Sequence, residues 1–153
     1  MEKIKIEWID VIAHTPSFVK IKNSRLHKKG AFCKKKIKKG TFLGNYFGKI
    51  TQESITGPYI FQSRRDDKII SIDATNISYS NWTRYMNCST TNQNENVTSY
   101  YLTNKELQHI NDELKSLEGY IVFYSNRDIE PKEELLYYYG NDYAKRLNIN
   151  YKI

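Results

Sequence analysis

The sequence predicts a mainly β domain with short helices, and three observations carry that prediction. Short runs of β-branched and aromatic residues alternate with turn-forming clusters, glycines at 40, 44 and 48 punctuate the first half, and only one segment shows sustained helical periodicity. With 153 residues, 39% hydrophobic and 27% charged, the chain supports one ordinary core and not two, so it reads as a single domain over 1–153.

Residues 1–18 form an N-terminal strand region, where Lys3, Ile4, Lys5, Ile6, Glu7 and Trp8 alternate as an edge strand does. Val19 and Ile21, then Ala31 and Phe32, flank a polar turn at 23–29, and the stretch 41–50 is aromatic and β-prone. Both stretches read as hairpins. Gly40, Gly44 and Gly48 share a helix-packing spacing, but Asn45, Tyr46 and Phe47 favour strand, so these glycines read as turns and close backbone approaches. Residues 69–72 and 120–123 make further short strands. One helix interrupts them: Thr103 and Glu106 form a capping box, Leu107, Ile110, Leu114 and Leu117 recur on one face, and Gly119 stops it. A shorter helix is expected over 142–147, within a closing segment 142–153 that ends a core of 19–147.

Composition narrows the function classes. No run of about eighteen apolar residues occurs and the N-terminus lacks a signal-peptide apolar block, so a soluble, intracellular protein with no membrane partner is expected. Cys33 and Cys88, with His14, His27 and His109, cannot build a disulfide framework or a four-cysteine zinc site, and no structural metal is expected. The sequons at Asn76, Asn81, Asn87 and Asn96 read as chance products of a chain rich in Asn, Ser and Thr. A net charge of +7 suits an acidic partner such as nucleic acid or a nucleosome, or else records ordinary solvated lysines. The run Lys34, Lys35, Lys36, Ile37, Lys38, Lys39 is open to three readings: a nuclear-import signal, a phosphate-contacting patch accessory to substrate docking, or a solvated strand edge.

No phosphate loop, paired-histidine zinc helix or serine nucleophile elbow is present. Tyrosine stands out instead, thirteen in all, grouped in the second half with asparagine and arginine. One block runs Ser80, Asn81, Trp82, Thr83, Arg84, Tyr85, Met86, Asn87, Cys88; the other runs Arg127, Asp128, Ile129, Glu130, Pro131, Lys132, Glu133, Glu134 into Leu135, Leu136, Tyr137, Tyr138, Tyr139, Gly140. The first resembles the Asn-x-x-Arg-Phe-x-Asn-His-Ser signature of SET-domain protein-lysine methyltransferases. Tyr85 stands in the Phe place, Cys88 in the His place, and Ser89 matches. The form Asn-Trp-x-Arg-Tyr-x-Asn-Cys is closer still to the PR branch of that family. The second block is similar to the family's Arg-Asp-Ile-x-x-x-Glu-Glu-Leu followed by an aromatic, any residue, Tyr and Gly. Upstream, residues 26–32 and 37–48 resemble the family's cofactor-wrapping glycine motifs, except that Lys28 stands where the first glycine usually does. If that position needs positive φ, lysine is strained there by about 1 kcal/mol or more, so either the turn differs or cofactor affinity suffers.

The resemblance implies a SET-type fold of small sheets around a C-terminal pseudoknot, in which residues 84–89 pass through a loop made by the second block. It implies transfer of a methyl group from S-adenosylmethionine to the ε-amine of a protein lysine, with a histone tail as a candidate substrate and a nuclear or chromatin setting. Alignment, desolvation and interaction with positive charge would do the work, and tyrosine faces and hydroxyls supply all three. Tyr139 falls on the catalytic tyrosine, and Tyr137 on the position that influences how many methyl groups are added. Asn87, Cys88, Arg84, Lys28, Lys29, Gly30 and Tyr59 fall on the cofactor site. Tyr46 and Phe123, with Tyr137, are candidates for the substrate-lysine channel. Two rival readings are a PR-type binding module of the same fold without catalysis, and a basic nucleic-acid-binding protein without cofactor.

Overall fold

The computed structural model describes residues 15–65, 68–91, 94–102 and 120–140. The expected strand at Lys3–Trp8, the capped helix with Thr103 and Leu117, and the helix over 142–147 lie outside the described residues. Among the described residues ten strands follow in order: β1 Val19–Asn23, β2 Lys29–Cys33, β3 Phe42–Asn45, β4 Lys49–Thr51, β5 Ile60–Arg65, β6 Lys68–Asp73, β7 Asn87–Cys88, β8 Val97–Leu102, β9 Tyr120–Ser125 and β10 Leu136–Tyr137. Two short 3-10 turns, Ile77–Tyr79 and Trp82–Tyr85, are the helical elements among the described residues. The architecture is mainly β, as the short β-branched runs require.

The strands form four small sheets: β1–β2, β10–β7, β3–β9–β8 and β4–β6–β5. The β1–β2 hairpin pairs Val19 with Cys33 and Ile21 with Ala31, which places these four residues on one face and Phe32, opposite Lys20, on the other. The stretch 41–50 departs from the hairpin expectation. Its two strands are not partners: β3 joins β9, and β4 pairs antiparallel with β6, Lys49 opposite Asp73. Gly48 explains the divergence, because a Cβ there would collide with the backbone of Asp73. Only glycine lets β4 approach β6 so closely.

The described residues group into two units. The first contains Phe42–Arg84 with the described parts of Tyr100–Phe123, around Leu43, Ile72, Ala74, Trp82, Ile121, Val122 and Phe123. The second contains Thr15–Thr41, Tyr85–Ser99 and 124–140, around Val19, Ala31, Ile37, Met86, Val97, Ile129, Leu135 and Leu136. Cys33 and Cys88 are free, buried thiols of this second unit, both held neutral first by desolvation.

Candidate active site

In the second unit the tail segment 133–139 is bonded along both sides. On one side the N–H of Cys33 donates to the Glu133 carbonyl at 2.8 Å and the N–H of Leu135 to the Ala31 carbonyl at 2.7 Å. On the other, β10 pairs in parallel with β7, Leu136 beside Asn87 and Tyr137 beside Cys88, and the N–H of Ser89 donates to the Tyr137 carbonyl at 2.9 Å. Asn96, 1% exposed, completes the enclosure. Its Nδ2 donates to the Glu134 carbonyl at 2.8 Å, and its Oδ1 accepts from the N–H of Leu136 at 2.8 Å. The Leu135–Tyr137 backbone can therefore be buried without orphaned polar groups. Asn96 carried no signature in the sequence, because its partners are backbone atoms some forty residues away.

This pairing sets Tyr139 against the first motif. Its hydroxyl donates to the Met86 carbonyl in a short contact, its N–H donates to Cys88 Sγ at 3.4 Å, and its ring lies 4.6 Å from that of Tyr137. Asn87, between those two anchor residues, is buried, and its Nδ2 donates to the carbonyls of His27 and Lys29, each at 3.2 Å. The same amide thus holds the turn that carries Lys28, Lys29 and Gly30. Lys28 is at φ 40, so the turn keeps the left-handed conformation with a lysine in place. Gly30 has no room for a side chain: a Cβ would meet the Glu134 carboxylate and, at 3.0 Å, Ser24 Cβ. Ser24 Oγ donates to Glu134 Oε2 at 3.1 Å and receives the N–H of Leu26 at 3.0 Å, while Glu134 Oε1 is buried without a donor. Ser24 lies outside the motifs, and Glu134, quoted within the second block, was given no site role there.

Within the first unit, Asn81 caps the second 3-10 turn by accepting the N–H of Thr83 at 3.0 Å and ties it to β3 by donating to the Asn45 carbonyl at 2.9 Å. Arg84 follows, 9% exposed. Its Nε donates to the Ala74 carbonyl at 2.8 Å, its Nη2 to that of Thr75 at 3.2 Å, and its guanidinium lies 3.8 Å from the ring centre of Tyr59. Tyr59 and Arg84 are therefore brought together, and the guanidinium clamps the chain leaving β6. Tyr46 and Phe123 also meet, 6.5 Å between centroids and edge to face, with Phe61 at 5.5 and 6.4 Å from them. Phe61, the third ring, was missed because the polar content of β5 hides its strand character.

Three of the four sequon asparagines have roles that oppose glycosylation. The Nδ2 atoms of Asn81, Asn87 and Asn96 all donate to backbone carbonyls. Asn76 is exposed and caps the first 3-10 turn.

Comparison with known proteins identifies the family and the fold. A family model for the PR domain of PR domain zinc finger protein 2 matches residues 17–150. PR domain zinc finger protein 14 of Mus musculus is 29% identical over 124 residues, 78% of this chain; the chain spans 19% of that protein's length. A solved structure described as the methyltransferase domain of human PR domain-containing protein 2 superposes with a TM-score of 0.61 at 24% identity, covering 86% of this chain and 84% of that one.

Proposed function

The chain belongs to the PR branch of the SET-domain family, and from that premise we propose that it transfers a methyl group from S-adenosylmethionine to a protein lysine, with a histone tail as the first substrate to test. The carrying observation is the double anchorage of Tyr139 on either side of Asn87, through the Met86 carbonyl and Cys88 Sγ.

The residues present fit the cofactor. A buried carboxylate oxygen of Glu134 without a donor lies against Gly30, in a turn rich in backbone carbonyls, and such a site favours a ligand that carries an ammonium and a sulfonium. Lys28, Lys29, Gly30, Asn87 and Cys88 would hold it. When bound, S-adenosylmethionine supplies an electrophilic methyl group open to in-line displacement by a neutral amine. The protein contributes position. The bond to Met86 fixes the Tyr139 hydroxyl in advance, and a hydroxyl retains acceptor lone pairs beside the hydrogen it donates. The adjoining faces of Tyr137 and Tyr139 attract a cationic amine or methylammonium.

A labelled-cofactor assay over a histone panel tests the reading, with Tyr139→Phe as its control. Turnover in the variant is expected to fall at least about tenfold, equivalent to ~1.4 kcal/mol of barrier. Calorimetry that finds no cofactor binding at near-millimolar concentration overturns the proposal in favour of a silent PR-type module.

A further inference from the structure

We propose that the outer face of the β1–β2 ribbon docks the phosphate backbone of duplex nucleic acid. From Lys20 to Lys39 the chain carries ten basic residues and no acidic one. Pairing in the hairpin decides where they point. Lys20 lies opposite Phe32 and Lys22 opposite Gly30, and the N–H of Lys34 donates to the Phe18 carbonyl at 2.7 Å, extending the ribbon by one more pair. Opposed residues of an antiparallel pair share a face, so Lys20, Lys22 and Lys34 line one side while Val19, Ala31 and Cys33 are buried on the other. All three lysines are exposed. Successive lysines on one strand stand about 6.8 Å apart, a rigid row of cations suited to a row of phosphates.

The nearby acids are engaged elsewhere in the same unit. Glu130 pairs with Lys36 at 3.4 Å, Glu133 with Arg127 at 3.0 Å, and Asp128 accepts the N–H of Lys39 at 2.8 Å. Glu134, which opposes Phe32 and so shares the lysine face, accepts from Ser24 through Oε2 and has its Oε1 buried against Gly30, away from the exposed lysine ammonium groups. Among the described residues, no carboxylate pairs with Lys20, Lys22 or Lys34. Lys22 lies 4.3 Å from the ring centre of half-buried Phe32, so the aromatic surface between the lysines supports a cation and is not an open platform for base stacking. That favours a duplex backbone over a single strand.

The test is fluorescence anisotropy of the full chain with a mixed-sequence duplex of about twenty base pairs across a salt series, where each phosphate contact contributes a slope of about −0.9 in log K against log salt. Wild type is expected to show a slope of about −3 or steeper, and the triple variant Lys20→Gln, Lys22→Gln, Lys34→Gln to lose at least about tenfold in affinity with a slope shallower by about 2 to 3. Lys49→Gln, on β4, serves as a single-charge control outside the ribbon and is expected to change neither. A thermal melt confirms that each variant is folded; if the triple variant is not, Lys20→Gln with Lys34→Gln leaves Lys22 on Phe32 and is expected to flatten the slope by about 2. Overturning results are a wild-type slope shallower than about −1, an equal loss in Lys49→Gln, tighter binding to a single strand, or preferential binding to polyglutamate or anionic vesicles.

Discussion

Asn96 offers the sharpest test of how the tail segment is held. It acts as a substitute strand, with one amide hydrogen bonded to the Glu134 carbonyl and its oxygen bonded to the N–H of Leu136, both at 2.8 Å in a site 1% exposed. Asn96→Ala strands a buried donor, the N–H of Leu136, and a buried acceptor, the Glu134 carbonyl, at about 1–3 kcal/mol apiece, so a loss of about 2–6 kcal/mol is expected. Asn96→Asp adds a direction. Its carboxylate can still accept from Leu136, but it faces the Glu134 carbonyl unless protonated, which raises its folded pKa above the unfolded value near ~4. Stability is then intact below that unfolded value and falls by about 1.4 kcal/mol per pH unit as pH rises toward the folded one. Chemical denaturation across a pH series measures both. A change under about 1 kcal/mol in Asn96→Ala, or a flat profile for Asn96→Asp between about pH 4 and 7, refutes the reasoning.

Other outcomes follow from the same geometry. Lys132 follows Pro131 at φ 78, the left-handed third position of a turn closed by the N–H of Glu133 on the Glu130 carbonyl at 3.2 Å. Lys132→Gly is expected to stabilise the fold by about 0.5–1 kcal/mol, the relief of about 1–2 set against glycine's greater unfolded freedom, and a lowered melting temperature contradicts this. A hydrogen bond from Arg127 is the main cause that holds the Glu133 carboxyl below its ordinary value. Its stabilisation is therefore present above the ordinary carboxyl range and lost as pH falls through the depressed value, and Arg127→Gln should shift the acid-unfolding limb to higher pH. An unshifted limb removes Arg127 from the account. Tyr137→Phe is expected to raise the share of higher methylation states in mass spectra of the product, and an unchanged distribution sinks that role.

Legibility in the sequence followed the range of the interaction. The β1–β2 hairpin was readable because alternation and a polar turn are local, and the register that sets Ile21 against Ala31 is what they require. Strands β7 and β10 are two residues each and pair in parallel across a long stretch of chain, so no periodicity could announce them. Only the resemblance of the two motif blocks did. Arg84 was legible as a motif residue, but its acceptors are the carbonyls of Ala74 and Thr75, atoms every residue possesses. Lys28 shows how a local rule and a distant bond combine. A lysine in a glycine's place suggested either a changed turn or a strained one, and φ 40 is the strained one. The conformation persists because it is determined from three sides: the Lys28 carbonyl receives the N–H of Ser24 at 2.8 Å, and Asn87 holds the carbonyls of His27 and Lys29. Those bonds offset a penalty of about 1–2 kcal/mol. Asn87 thus shapes the turn from β7, the strand paired with the tail that carries Tyr139, so the conformation of the turn and the placement of the tyrosine depend on one another.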